Sequence, residues 1–290
     1  MEDVVTVGLD GSAESMDAAR WAADEADRRK ITLRLLHAWI LLSQDTPGAP
    51  QEKDQNYWAK RIVGDAQRDI THRHPDLPIV EELLAEDATE ALLRAAADSR
   101  ILVLGSRGLE RVESFFLGDT GLHVVARADR PVVLVRAGAA ENRPPGDREA
   151  GVVAGVSLEG SCDSVLDFAC DTAAARDVPV HVVHGRSLPV QAYAPWGVDP
   201  EVAKEIRDDV QRDLAPVLRP WREKFPALRI VEDIRLESPA RAVVRAARGR
   251  QLLVVGRRRH RQALGPRLGP VAQAAVHHAN CPVAVVSHDD

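Results

Sequence analysis

Cysteine is scarce in this chain. Its 290 residues hold three, Cys162, Cys170 and Cys281, and no Cys-x2-Cys pair is among them. An odd number at irregular spacing excludes a disulfide framework and a zinc ribbon, and leaves small buried apolar residues as the reading. Long apolar runs are missing too. Stretches such as Ile101 to Leu104 and Val132 to Val135 fall far short of the roughly 18 residues of a membrane span. The start, Met1-Glu2-Asp3, is acidic where a secretory signal is basic, and no apolar segment follows it. The expectation is a cytoplasmic chain with no membrane partner. Lysine occurs only at Lys30, Lys53, Lys60, Lys204 and Lys224, among 38 basic residues in all; that skew toward arginine reflects genomic composition more than chemistry.

Catalytic signatures are absent as well. There is no Gly-x4-Gly-Lys-Ser/Thr loop, no Gly-x-Gly-x2-Gly after a strand and no Gly-x-Ser-x-Gly elbow; Gly155-Val156-Ser157-Leu158-Glu159 comes near the last but ends in Glu. Without a nucleophile, a base and an oxyanion device in one place the chain is not expected to be an enzyme. The histidines make no metal pattern: His72 and His74 flank a turn, His181 and His184 lie along a strand at odd spacing, and His277-His278 end a helix.

What is present is a repeat. At 45% apolar and 28% charged residues, the chain reads as globular, with room for two domains of roughly 100–200 residues. Val4-Val5-Thr6-Val7-Gly8 matches Val152-Val153-Ala154-Gly155, Ile101-Leu102-Val103-Leu104-Gly105 matches Leu252-Leu253-Val254-Val255-Gly256, and Pro131-Val132-Val133-Leu134-Val135 matches Pro282-Val283-Ala284-Val285-Val286. The offset is 147 from Gly8 to Gly155 and 151 from Gly105 to Gly256, a net insertion of four residues. Within each copy, Val/Ile/Leu-rich strands alternate with segments of helical period, the pattern of a parallel sheet covered on both faces. Strands are expected near 3–8, 31–38, 78–84, 101–105 and 131–136, with helices over 13–29, 51–73, 89–98 and 119–128. Strands of the second copy fall near 151–156, 179–185, 228–236, 252–256 and 282–286. The fold class is therefore α/β, two tandem doubly wound five-stranded domains over 1–137 and 151–290, joined by a polar linker at 138–150 that carries Pro144-Pro145-Gly146.

In such sheets ligands bind beyond the carboxyl ends of the strands, where the strand order reverses. Strand one of the first copy runs into Leu9-Asp10-Gly11-Ser12, strand four into Gly105-Ser106-Arg107-Gly108, and Gly118-Asp119-Thr120 opens a helix. Taken singly, each glycine needs no more than a tight strand-to-helix turn. Together, Gly105, Gly108 and Gly118 allow backbone amides and a helix N-terminus to approach an anion. Gly-x2-Gly-x9-Gly after a buried strand, with Asp-Gly-Ser after strand one, His37-Ala38-Trp39 ending strand two and the Pro-Val-rich last strand, resembles the universal stress protein family and its ATP-binding subgroup. The likeness spans nearly the whole chain as two copies.

The resemblance implies an adenine nucleotide alpha-hydrolase-like fold, with the two domains packed as an intramolecular pseudo-dimer through their last strands. It also implies ATP, with magnesium as a bridging cation, held in the first domain by Leu9, Asp10, Ala38, Leu104, Gly105, Arg107, Gly108, Gly118, Asp119 and Thr120. Asp10 would meet the nucleoside, Ala38 the adenine, and the glycines the ribose and phosphates. Asp119 departs from the family, which has Ser or Thr there. A carboxylate roughly 4 Å from a phosphate costs about 1–4 kcal/mol at effective dielectrics between water and a protein surface. A divalent cation would offset that repulsion, Thr120 would donate a hydroxyl, or Asp119 simply caps the helix. In the second copy Ser157 stands for Asp10, Arg259 for the second glycine, and Pro270 follows Gly269, so this copy is not expected to bind ATP in the family manner.

Charge divides unevenly. Residues 1–140 carry 24 acids and 17 bases, and residues 151–290 carry 17 acids and 19 bases. From Ser238 to His288 there are nine arginines and no acid. With no interleaved aromatics and an acidic whole this reads as a solvated face, not a nucleic-acid surface, although a small anion on Arg257 to Arg259 is the alternative. The functional expectation is a non-catalytic, nucleotide-dependent regulator of the stress response. It would act through an unidentified protein partner and a homodimer of the tandem chain; a nucleotide-free scaffold and a weak ATPase are the alternatives.

Overall fold

The computed structural model describes residues 3–40, 52–106, 119–138, 150–189, 193–194, 197–259 and 268–289. The chain divides into two compact units, Met1–Asn142 and Arg143–Asp290.

The first unit alternates strand and helix: β1 (Val4–Gly8), α1 (Ala13–Arg29), β2 (Thr32–Ala38), α2 (Glu52–Arg73), β3 (Ile79–Leu84), α3 (Ala88–Asp98), β4 (Ile101–Ser106), α4 (Asp119–Arg127) and β5 (Val132–Arg136). All its strands are parallel, in the order β5-β4-β1-β2-β3. Strands β1, β4 and β5 are buried and apolar along nearly their whole length because helices cover both faces. The edge strand β3 alone has exposed positions, Val80 and Glu81, with Glu82 half-buried beside them; charged residues on an edge discourage further pairing. Helix α1 starts where the Ser12 side chain accepts the Ser15 N–H, and α3 where Asp87 accepts from Thr89 and Glu90. A buried stripe at Ala59, Val63, Ala66 and Ile70 seats α2 on the sheet. Arg20 of α1 reaches Asp69 of α2 through Nε at 2.9 Å and Nη2 at 3.2 Å, which fixes the two helices against each other. That pairing raises the Arg20 pKa, and the same hydrogen bond lowers that of Asp69.

The second unit repeats the plan with β6 (Val152–Gly155), α5 (Asp163–Arg176), β7 (Val180–Gly185), a short antiparallel pair β8 (Tyr193–Ala194) and β9 (Gly197–Val198), α6 (Pro200–Lys224), β10 (Ile230–Arg235), α7 (Pro239–Ala246), β11 (Leu252–Arg258), α8 (Pro270–His278) and β12 (Val283–His288). Its five main strands are parallel in the order β10-β7-β6-β11-β12, the same order as in the first unit. The correspondence extends to strained backbone. Both α1 and α5 end on a left-handed residue that is not glycine, Lys30 at φ 55° and Asp177 at φ 53°, each 147 positions apart like the first strands.

The structure places the elements of the first unit within a residue or two of their sequence-based bounds. In the second, β11 and β12 run two residues further, because Arg257 pairs with Ser287 and Arg258 with His288. The cysteines are buried as expected, and burial pushes the Cys170 thiol up to about 12 and raises that of Cys162. No helix among the described residues is long and apolar enough to cross a membrane.

Candidate functional site

The strand order of the first unit reverses between β1 and β4. From β1 the chain moves outward to β2 and β3, then returns to the other side of β1. Gly8 of β1 lies beside Leu36 of β2 and Leu104 of β4, so the three strands end together and open the crevice typical of a switch point.

Its floor is tied down by backbone and side-chain bonds. The Leu9 N–H donates to the Leu36 carbonyl at 2.8 Å, and the Leu9 carbonyl accepts from His37 Nδ1 at 2.7 Å. His37, buried, therefore carries its proton on Nδ1 and locks the chain leaving β1 onto β2. Its ring stacks on Trp39 at 5.7 Å and 13°. Asp10 is exposed at the rim, and its Oδ1 accepts the Ser12 N–H at 2.9 Å and the Ser12 hydroxyl, an Asx turn. Gly11 between them has φ +82° and supplies the left-handed backbone the turn needs. Ser12 in turn caps α1, so a single turn joins the Asp10 carboxylate to the helix N-terminus.

Gly105 faces that same helix start. A Cβ there would sit 2.6 Å from Glu14 C and Ser15 N. Its first role is thus to let the first turn of α1 pack backbone to backbone on β4, beyond the anion approach that the sequence suggested. Leu9 and Leu104 are buried, Ala38 and Thr120 half-buried. Leu9, Asp10, Ala38, Leu104 and Gly105 come together at the strand ends, and Thr120 lies in the first turn of α4. Arg107, Gly108 and Gly118 lie outside the described residues, and Asp119 is the first residue of α4, its side chain outside them.

The corresponding place in the second unit keeps the scaffold and changes its lining. Val156 N–H donates to the Val183 carbonyl at 3.0 Å, and His184 Nδ1 donates to the Val156 carbonyl at 3.2 Å. Burial holds the His184 pKa below the ordinary histidine value, and the nitrogen facing the Val156 carbonyl, Nδ1, is the one that donates. Ser157 accepts the Glu159 N–H at 3.1 Å, which rebuilds the turn of Asp10 without a carboxylate. Where β4 has Ser106, β11 has buried Arg257. Arg258 Nη2 reaches the Glu159 carbonyl at 3.2 Å, across the end of β6, and Arg259 bonds Ser287 and Asp289. Among the described residues no group of three or more His, Cys, Asp or Glu side chains is placed to hold a metal ion.

The sequence marks His37 only as part of the His37-Ala38-Trp39 motif and His184 only as a strand histidine without a metal pattern, and does not pair the two as clamps. Their signal was the repeat itself, since His37 and His184 are separated by the same 147 residues as Gly8 and Gly155.

Comparison with known proteins agrees with this fold. The model of the universal stress protein family matches residues 1–136 and 151–287. Universal stress protein Rv2005c of Mycobacterium tuberculosis is 27% identical over 288 residues, covering 97% of this chain and 96% of its own. Rv2623 of the same organism is 27% identical over 291 residues, with 97% and 95% covered. A solved universal stress protein from Archaeoglobus fulgidus superposes with a TM-score of 0.68 over 99% of both chains at 13% identity, a likeness of fold. With a match across each of its two units, the chain belongs to the universal stress protein family.

Proposed function

We propose that the first unit binds ATP beyond the ends of β1, β2 and β4, and that the chain works as a non-catalytic, nucleotide-dependent regulator of the stress response. One observation carries the reading: the Asp10-Gly11-Ser12 turn and Gly105 meet at the β1/β4 switch point, where the chain goes on into the Gly105-x2-Gly108-x9-Gly118 spacing. The two hydrogen bonds from Ser12 orient the Asp10 carboxylate, and a carboxylate has acceptor sites for more than two donors. It would accept the ribose hydroxyls, with Ala38 against the adenine and Leu9 and Leu104 as the apolar rim. Gly105, Arg107, Gly108, Gly118 and Thr120 would serve the ribose and phosphates, and magnesium would bridge Asp119 to them. The second unit, lined by Arg257 to Arg259 in place of a glycine cradle, would hold no ATP.

The test is direct. Purified protein is boiled and the supernatant assayed for adenine nucleotide, and the native protein is melted with and without Mg-ATP. Released nucleotide or a rise in Tm is expected, with phosphate release at background. Neither signal would favour a scaffold, whereas turnover abolished by Gly108→Val would favour a weak ATPase. Asp119→Ser should weaken ATP if a cation bridges the carboxylate to the phosphates, and tighten it if the carboxylate only repels them.

A further inference from the structure

Helix α2 is longer than the sheet it covers. Its 22 residues span about 33 Å, against roughly 17–23 Å for strands of five to seven residues. As the crossover between parallel β2 and β3 it runs antiparallel to them, so its N-terminal end projects past the carboxyl ends of the strands. The level of the strand ends is marked by Ile62, whose side chain lies 3.2 Å from where a Cβ on Gly11 would stand.

The residues of α2 that face α1 follow one ridge. Asp69 pairs with Arg20 and Ile62 meets the Asp10–Ser12 turn, seven residues apart. Trp58, four residues before Ile62, continues this ridge. It stands about 6 Å further along the axis, one turn past the level at which Ile62 meets the Asp10–Ser12 turn. There the indole is 56% exposed, and the neighbouring Tyr57 is 59% exposed. The two adjacent rings present an exposed aromatic face at this end of α2. The ring is held in place, edge-on to Tyr57 at 5.8 Å and 74°, with the Arg61 guanidinium 5.3 Å from its centroid.

We infer that Trp58 is a positioning residue of the first-unit crevice, stacking on the purine base of the nucleotide whose ribose meets Asp10. The inference rests on the ATP reading above and adds to it a wall from α2. The occupant follows from continuity with the crevice and from chemistry, since a flat base offers a π-face to an indole.

Equilibrium dialysis of the full chain with ATP and, separately, with inorganic tripolyphosphate tests it. Trp58→Ala should raise the Kd for ATP about five-fold or more, and Trp58→Phe, which keeps an aromatic face, should stay within about two-fold of the parent. Tripolyphosphate binding should be the same in all three proteins. Equal ATP affinity in the parent and Trp58→Ala would overturn the inference and leave the ATP reading standing. A parent that binds no ATP would overturn both. Equal losses of ATP and tripolyphosphate in Trp58→Ala would show a general disturbance of the crevice and also overturn the stacking role.

Discussion

In the first unit a carboxylate holds the turn after the opening strand, Asp10 accepting from Ser12; in the second a hydroxyl holds it, Ser157 accepting from Glu159. A buried histidine from the next strand clamps the carbonyl just before that turn in both, His37 on Leu9 and His184 on Val156. The fold therefore asks only for an acceptor two residues before an N–H, and leaves the charge of that acceptor open. The fourth strands differ more. Gly105 touches the backbone of α1, whereas the Cβ direction of Gly256 meets the far end of the His288 side chain at 2.9 Å and Val165 at 3.2 Å. One glycine is required by packing against something that cannot yield, the other by neighbours that can.

The contrast can be broken in three places. Gly105→Ala should cost about 2 kcal/mol or more, since the new methyl has only backbone to displace, and Gly256→Ala under about 1 kcal/mol. Urea midpoints of the two variants check this, and equal costs would erase the distinction. Asp10→Ser, which installs the acceptor of the second unit in the first, should leave stability within about 0.5 kcal/mol and lower ATP affinity roughly ten-fold. An unchanged affinity would mean that the carboxylate serves only the turn. The smallest effect concerns acid. His184 has a lowered pKa in the folded protein, from burial, while the unfolded chain titrates near 6.5. Below about pH 6.5 the unfolded state takes up a proton that the folded state resists, so stability falls with falling pH, by at most about 1.4 kcal/mol per pH unit. His184→Asn should flatten that limb of a Tm against pH curve, and an unaltered slope would assign it to other groups.

The architecture was readable because each strand is an apolar run repeated at nearly fixed offset, and each is bounded by glycine, proline or a polar turn. Reading stopped short where polar residues continue a strand: Arg257 and Arg258 look like a loop after Gly256, yet both are paired in register with β12. The two-residue strands β8 and β9 are too short to leave a period. At the site, the spacing of Asp10, Gly105, Gly108 and Gly118 pointed to the crevice. It did not show that Gly105 answers first to Glu14 and Ser15, since a contact between residues about 90 positions apart has no local signature. Trp58 was equally silent, one of two adjacent aromatic residues in a charged helix until Ile62 fixed which way its ridge faces.

The packing of α1 on Gly105 also has a mechanical side. With no gap between helix backbone and strand, there is no room at this contact for even a methyl group. Whatever enters above them meets an unyielding floor. The turns of α2 beyond that floor are tied to it at Ile62 and, further down, at the Arg20–Asp69 pair.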